Sequence, residues 1–94
     1  MAKATARHIL VKTEKLCKKI KNEINKKEIT FEKAAKKHSK CSSAKKGGDL
    51  GKFYDGEMVA AFDKVVFNEK LHMLHGPVKT QFGFHLIEIT SRSK

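Results

Sequence analysis

The stretch Cys41-Ser-Ser-Ala-Lys-Lys-Gly-Gly-Asp-Leu-Gly51 decides how this chain folds. Its paired glycines are free to adopt positive φ values, so the stretch predicts an ordered loop that leads into a short strand. Two further motifs follow, Gly56-Glu-Met-Val-Ala-Ala-Phe-Asp63 and Thr80-Gln-Phe-Gly-Phe-His85. With His8 near the start, they place two histidines, a thiol, a threonine and several apolar side chains in one short chain.

Length and composition limit the classes of protein to consider. A chain of 94 residues predicts one domain over residues 1–94, with room for one core and one shallow site. The hydrophobic fraction of 39% favours a folded globule over a disordered chain. The basic start is followed by no apolar segment, and no stretch approaches the roughly 18 apolar residues of a membrane span. We therefore expect a soluble cytoplasmic protein, monomeric and without a membrane partner.

Positive charge dominates, because 21 Lys and Arg residues outnumber 10 Asp and Glu residues and give a net charge of +11. Such a field attracts nucleic acid or acidic protein surfaces without selecting a sequence. Nucleic-acid binders usually add stacking aromatics or an arginine-rich reading element. This chain has one tyrosine and no tryptophan, and its arginines are Arg7 and Arg92. Solvated lysine faces on helices are favoured over a nucleic-acid patch.

The cysteines and some of the histidines are candidates for metal ligation. Cys17 and Cys41 lack CxxC spacing, so neither a disulfide framework nor a zinc ribbon is predicted, and Cys17 is expected to pack in the core. His38 and Cys41 are three residues apart, as are His72 and His75, and these pairs could supply four zinc ligands. The paired cysteines and knuckle glycines typical of such sites are missing. We expect neither metal nor cofactor.

Two segments alternate in the manner of strands. Residues 5–12 put His8 on the face opposite Ile9, and residues 84–90 put His85 on one face of a second strand. Shorter extended pieces are expected at residues 50–53 and 77–79, with turns at residues 55–56 and 80–83.

Three segments have the period of a helix. Thr13 is a predicted N-cap for the first, whose apolar stripe is Leu16, Ile20 and Ile24. The second begins at Thr30 and ends near His38. The third has apolar residues at i, i+4, i+7 and i+8: Met58, Phe62, Val65 and Val66. Residues 68–76 lack a period and are predicted to be a loop. This order of elements predicts an α+β fold with one sheet.

The motifs and their order resemble the parvulin family of peptidyl-prolyl cis-trans isomerases, in particular the small single-domain bacterial parvulins. The resemblance runs from His8-Ile-Leu-Val11 to Phe82-Gly-Phe-His85 and so spans nearly the whole chain. One motif alone would be weak, but four in order with compatible gaps are specific. The family implies a parvulin-like (FKBP-like) α+β fold, a four-stranded antiparallel sheet surrounded by helices in the order βα3βαβ2. The fourth helix would be a short turn around residues 42–46.

The resemblance implies a proline pocket. Leu50, Met58 and Phe62 would line it, and Phe82 would form part of a neighbouring pocket for the residue before proline. A Met thioether is adaptable and polarisable, which suits such a pocket. Spacing alone favours ordinary core residues at these positions, and the surrounding motif favours the pocket. Prolyl bond rotation faces a barrier of about 18 to 20 kcal/mol, and an apolar pocket would favour the twisted amide, which has lost its charge separation.

The resemblance also implies a polar catalytic network of His8, Cys41, Thr80 and His85. In the family the two histidines lie on neighbouring central strands, hydrogen-bonded to each other and linked to the equivalents of Thr80 and Cys41. A lone histidine on such a strand is more often a satisfied core group. Nearby lysines could also make Cys41 a nucleophile, but no framework for an oxyanion hole is evident. The thiol is expected to tune the electrostatics near the substrate carbonyl.

Specificity and function follow from the same resemblance. Some eukaryotic parvulins read phosphoserine or phosphothreonine with an arginine-bearing loop after the first strand, whereas here a helix follows Lys12 directly, so phosphate-directed specificity is not expected. Phe84 stands where bacterial relatives often carry tyrosine. The predicted function is a cofactor-free prolyl isomerase for proline-containing polypeptides that are unfolded or newly made. The alternative is a basic parvulin-like binding module that holds acidic or extended chains, or nucleic acid, with little catalysis.

Overall fold

The computed structural model describes residues 2–93. Its elements in chain order are β1 (Lys3–Val11), α1 (Glu14–Asn25), α2 (Phe31–His38), a 3-10 helix (Ser42–Lys46), β2 (Asp49–Tyr54), α3 (Ala60–Asn68), β3 (Leu74–Thr80) and β4 (Gly83–Ser93). Counting the 3-10 helix, the order is βα3βαβ2, and the predicted fold class is confirmed.

The four strands form one antiparallel sheet in the order β2-β1-β4-β3. The two strands that carry the motif histidines, β1 and β4, are therefore the central pair. They pair from Lys3↔Ser93 to Val11↔Phe84. This register places Leu10 opposite His85 and His8 opposite Ile87, so the two histidines lie diagonally across neighbouring strands on one face of the sheet.

Each face of the sheet packs against helices. Ile9, Val11 and Leu86 face α1 and α2, and pack with residues such as Ile20 and Phe31. The opposite face packs against α3, with a core of Ala4, Ala6, Phe53, Phe62, Val66, Ile87 and Ile89. The alternation predicted for the two long strands is confirmed, and it leaves the histidines on the α3 side beside Phe62.

Threonine caps set where the first two helices begin. Thr13 Oγ1 accepts a hydrogen bond from Leu16 N at 3.2 Å, and Thr30 Oγ1 accepts one from Lys33 N at 3.2 Å. Both threonines have extended backbones, as N-caps require. α1 then buries Cys17 and Ile20 and leaves Lys15, Lys18 and Lys19 exposed, while the half-buried Lys21 donates a hydrogen bond to Gly76 O at 2.8 Å. None of the helices in residues 2–93 is long and apolar enough to cross a membrane.

The third helix begins later than its apolar period predicts. α3 starts at Ala60, and its N-cap Val59 has an extended backbone with φ −60° and ψ 149°. Met58 therefore lies in the loop before the helix, and its prediction as a helical residue was wrong. The spacing from Met58 to Phe62 matched a helix because both side chains face the same cleft, one from the loop and one from α3.

Part of the segment predicted as a loop is a strand. Leu74, His75 and Gly76 belong to β3, where Leu74 pairs with Glu88 of β4. The register shifts between His75 and Val78, at the position of Pro77. Proline lacks an N–H for the ladder and is accommodated at bulges of edge strands. The bulge interrupts the alternation of side chains, so no period of two was visible in the sequence.

Candidate active site

A cleft of about 280 Å³ opens on the α3 side of the sheet, and its exposed lining is almost wholly apolar. We call it the central cleft. It is lined by His8, Leu10, Cys41, Leu50, Met58, Val59, Phe62, Phe82 and His85. Seven of the eight predicted site residues are in this set, and the eighth, Thr80, hydrogen-bonds His85.

Sequence reasoning missed two lining residues, Leu10 and Val59. Leu10 could have been found, because it lies two residues after His8 and so shares its face of β1. Val59 carried no such signal, since its position depends on where the loop ends and α3 begins. Its extended backbone next to Met58 turns the chain into the helix and places both residues at the cleft.

The apolar side of the central cleft is built around Phe62. This residue is only 3% exposed, and its ring meets the rings of His8 and His85 edge-on, with centroids 5.4 and 5.5 Å apart. Phe82 is different, because 60% of it is exposed at the rim. The cleft thus combines an ordered aromatic floor with an open aromatic edge, on which a bound chain could bury further apolar surface.

The two histidines are joined in a chain of hydrogen bonds. His8 Nδ1 lies 3.0 Å from His85 Nδ1, and the rings are stacked with centroids 5.2 Å apart. His85 Nε2 lies 2.7 Å from Thr80 Oγ1, which also accepts a hydrogen bond from Phe82 N at 3.1 Å. The predicted links between the histidines, and from His85 to Thr80, are present. Through Thr80, these hydrogen bonds also connect the two histidine rings to the turn that carries Phe82.

Burial keeps both rings neutral at neutral pH. Desolvation, and then the charge that His85 would carry, lowers the pKa of His8 from 6.5 to about 4. Burial also lowers the pKa of His85. A hydrogen bond between two Nδ1 atoms requires one to donate and the other to accept, which neutral rings in complementary tautomers satisfy. The pair therefore acts as a fixed network of dipoles in which both rings are predominantly neutral at pH 7.

Cys41 is not part of this hydrogen-bonded chain. His8 Nε2 is buried without a hydrogen-bond partner in the part of the chain that the structure describes, and both nitrogens of His85 are taken by His8 and Thr80. The link from the histidines to Cys41 that the resemblance implied is therefore not formed. Cys41 lies instead on the wall of the cleft, where the segment after α2 runs along β1.

Paired glycines allow the quoted loop to reach β1. Gly47 and Gly48 have φ values of +70° and +88°, and Gly48 O accepts a hydrogen bond from His8 N at 2.9 Å. A Cβ at Gly48 would lie 2.4 Å from His8 O. The absence of a side chain at Gly48 lets the loop lie against β1 at His8, and this path brings both Cys41 and Leu50 to the central cleft.

The candidate zinc ligands do not come together. Within residues 2–93 no three His, Cys, Asp or Glu side chains are grouped closely enough to hold a metal ion. Both cysteines are free thiols. Burial raises the pKa of Cys17 to about 11, so this thiol stays protonated and packs as an apolar side chain in the core beneath α1.

The family model described as "Rotamase: PPIC-type PPIASE domain" matches residues 3–91. The chain belongs to the parvulin family. Among curated relatives of this parvulin domain, Foldase protein PrsA of Geobacillus kaustophilus is 43% identical over 93 residues, which cover 98% of this chain and 33% of the relative. The putative peptidyl-prolyl cis-trans isomerase dodo of Drosophila melanogaster is 46% identical over 67 residues, or 71% of this chain and 40% of the relative.

Solved parvulin structures agree over nearly the whole chain. PrsA from Bacillus anthracis superposes with a TM-score of 0.93 at 34% identity and covers 99% of this chain, which matches 43% of that protein. NmPin, the parvuline of Nitrosopumilus maritimus, superposes with a TM-score of 0.84 at 35% identity, covering 97% of this chain and 98% of that one. The chain thus spans about a third of the curated PrsA foldase and almost all of the small parvuline.

Proposed function

We propose that this parvulin domain is a peptidyl-prolyl cis-trans isomerase acting on Xaa-Pro bonds of unfolded or newly made polypeptides. The observation that carries the proposal is the central cleft, an apolar cup of Leu50, Met58 and Phe62 next to a neutral histidine pair. Membership of the PPIC-type rotamase family supports it. Proline-containing polypeptides are then the partners, and no cofactor is needed because no bond of the substrate is broken.

The proposed mechanism is non-covalent. Rotation about a prolyl bond gives up amide resonance, at a cost of about 18 to 20 kcal/mol. At the perpendicular geometry the amide has lost its charge separation, so a cleft with apolar walls solvates the twisted amide better, relative to the planar one, than water does. Each ~1.4 kcal/mol of this preference gives about tenfold in rate.

Polar groups at the cleft have an orienting role in this mechanism. The His8–His85–Thr80 chain is held by hydrogen bonds and needs no proton transfer to keep its shape. Cys41, on the adjacent wall, would lie near the substrate carbonyl and adjust the local electrostatics without attacking it. The roles of these four residues as catalytic groups remain predictions.

The residue before proline is proposed to be apolar or generic. Phe82 offers an exposed aromatic surface at the rim of the cleft. The chain's two arginines are engaged elsewhere: Arg7 pairs with Glu88 and lies over the Phe31 ring, and Arg92 donates to the carbonyls of residues 66 and 69. With no arginine free at the cleft, a phosphoryl group before proline would find no bidentate partner.

The proposal is tested by NMR exchange measurements of cis-trans interconversion in short peptides that carry Leu, Glu or phosphoserine before proline. The wild-type protein should accelerate exchange most for Leu-Pro. Met58→Ala should lose about tenfold in kcat/KM, since it removes one wall of the cup from a partly buried loop position. Phe62→Ala should lose at least as much, with a cost in stability because Phe62 is buried.

Met73→Ala is the matched control, because Met73 is 52% exposed and does not line the central cleft. It should keep wild-type activity. A folded wild-type protein that accelerates none of the peptides would contradict the proposal. That result would favour the alternative of a basic binding module, for which the net charge of +11 is the supporting observation.

We also propose a cytoplasmic location and a monomeric state. Both thiols, Cys17 and Cys41, are free, and free cysteines are typical of reducing compartments. The charge of +11 disfavours self-association at low salt. Cell fractionation tests the location, and light scattering coupled to size exclusion tests the monomer.

A further inference from the structure

One edge of β1 lacks a strand partner next to the central cleft. β2 pairs with β1 only from Lys3↔Tyr54 to Arg7↔Asp49. Residues 8–11 of β1 pair with β4 on one side, so their backbone groups on the other side need different partners. His8 N donates to Gly48 O at 2.9 Å, and Leu10 is left to the segment after α2.

The segment of residues 39–41 completes this edge. Lys40 N donates to Leu10 O at 2.7 Å, and Ser39 Oγ accepts a hydrogen bond from Leu10 N at 3.0 Å. The same Ser39 Oγ accepts a second hydrogen bond from Cys41 N at 3.4 Å. One hydroxyl oxygen therefore connects β1 to the residue that carries the thiol of the cleft wall.

Helix α2 holds Ser39 in place. Ser39 directly follows the last helical residue, His38, and its N–H donates to Ala35 O at 2.9 Å as the helix C-cap. Its backbone is extended, with φ −67° and ψ 135°. Ser39 is not among the residues that line the central cleft, so it acts through its neighbours and not on a bound substrate.

We propose that Ser39 is a positioning residue of the isomerase site, which sets the place of Cys41 and Leu10 relative to the histidine pair. This inference rests on the proposed isomerase function. Without the hydroxyl, two N–H groups lose their acceptor and residues 39–41 lose a link to β1. Met58 and Phe62 of the proline cup come from a different segment, the loop before α3 and α3 itself, and make no contact with this link that their positions depend on. The orientation of the amide should therefore suffer while the grip on the proline ring is kept.

The test compares Ser39→Ala and Ser39→Thr with Thr30→Ala in the peptide exchange measurement on Leu-Pro. Thr30 caps the other end of α2 through Lys33 N, so its loss weakens the same helix away from the cleft. Ser39→Ala should lower kcat about tenfold and leave KM within about twofold. Ser39→Thr keeps the hydroxyl and suits an extended backbone, so it should retain activity. Thr30→Ala should lower the Tm and keep kcat.

Hydrogen exchange of the Leu10 and Cys41 amides gives a second readout. Both should exchange faster in Ser39→Ala and stay protected in Thr30→Ala. Should Ser39→Ala fail to fold, Ser39→Cys keeps the side-chain size with a far weaker acceptor and should show the same loss of kcat. Unchanged kcat in a folded Ser39→Ala or Ser39→Cys variant, or an equal loss of kcat in Ser39→Thr or Thr30→Ala, would overturn the role of Ser39 alone. An inactive wild-type protein would overturn the proposed function as well.

Discussion

At the scale of single residues, the site depends on two histidines that are buried and uncharged. His8 and His85 are 5% and 4% exposed. One hydrogen bond joins the two Nδ1 atoms, and a second joins His85 Nε2 to Thr80 Oγ1. Burial of a titratable group is tolerated when its neutral form is hydrogen-bonded. The pair is therefore suited to holding a fixed arrangement of dipoles around a twisting amide.

This burial predicts a loss of stability in mild acid. The folded-state pKa of His8 is lowered to about 4 from 6.5, so the unfolded chain binds the proton first as the pH falls. The stability contributed by the neutral ring is complete above pH 6.5 and is lost as the pH falls toward about 4. His85, whose pKa is also lowered, adds in the same direction. Urea unfolding measured from neutral pH into this window should show the decline.

A pair of variants separates this effect from general acid denaturation. His8→Gln should flatten the decline, while His72→Asn should leave it unchanged, because His72 is exposed and its φ of +61° suits asparagine. An equal decline in wild type and His8→Gln would show that other groups control acid stability.

At the scale of elements, the loop of the opening motif is shaped by its close approach to β1. Its 3-10 helix ends at Lys46 and is capped by Gly47, and the following Gly48 lies against the backbone of His8. A helix end with a left-handed residue usually takes glycine for conformational reasons alone. Here the second glycine is required for space as well, since any side chain would meet the β1 backbone.

We expect Gly48→Ala to destabilise the protein by at least about 3 kcal/mol, through strain at positive φ and a collision with His8 O. Gly51→Ala is the control, because Gly51 has a φ of +71° but nothing lies within 4 Å of the place that its Cβ would take. It should cost about 1 to 2 kcal/mol. Denaturant titration of both variants measures the difference in unfolding free energy. Equal losses for the two variants would mean that small shifts of the loop remove the collision with His8 O.

The loop before α3 depends on an anchor from the helix. Gly56 N donates to both carboxylate oxygens of Asp63, at 3.2 and 3.3 Å, and this bond closes the loop that carries Met58. Asp63→Ala should therefore raise KM for proline peptides about threefold, since Met58 loses its fixed position, with a smaller effect on kcat. Lys64→Ala, at the exposed neighbouring position, should leave KM unchanged. Equal KM values for the two variants would contradict the anchoring role.

At the scale of the whole molecule, charge and cleft are separate features. The net charge of +11 comes from lysines, and nearly all of those that the structure describes are exposed. The lining of the central cleft, in contrast, is almost wholly apolar. Interactions between exposed charges are largely screened beyond a Debye length of about 8 Å at physiological salt, while apolar burial is not weakened by salt. The two features should therefore respond differently to ionic strength.

The acceleration of cis-trans exchange in a Leu-Pro peptide should change less than about twofold between ~0.05 and ~0.5 M salt. Acceleration of cis-trans exchange in a Glu-Pro peptide should fall over the same range, because the exposed lysines would attract the glutamate only at low salt. The same exchange spectra measure both. A steep salt dependence for Leu-Pro would indicate that capture rests on the lysines and not on the cleft.

Much of the architecture could be predicted because it is local. Alternation identified β1 and β4 and their faces, threonines marked the starts of α1 and α2, and paired glycines marked the loop. The errors lie where a tertiary contact overrides the local pattern. Met58 is outside α3 because the loop must turn toward the cleft, and residues 74–76 join β3 across a bulge that hides its alternation.

The sequence by itself determined the sheet with its helices, the family and the residue types of the site, since these follow from periodicity, capping and motif order. Only the tertiary structure decided which site residues are hydrogen-bonded to one another, and in which protonation state. Strand register set the His8–His85 bond, burial made both rings neutral, and the unpaired edge of β1 placed Cys41 through Ser39 and left it outside the histidine chain. Register, burial and edge pairing are relations between distant segments, and no local pattern encodes them.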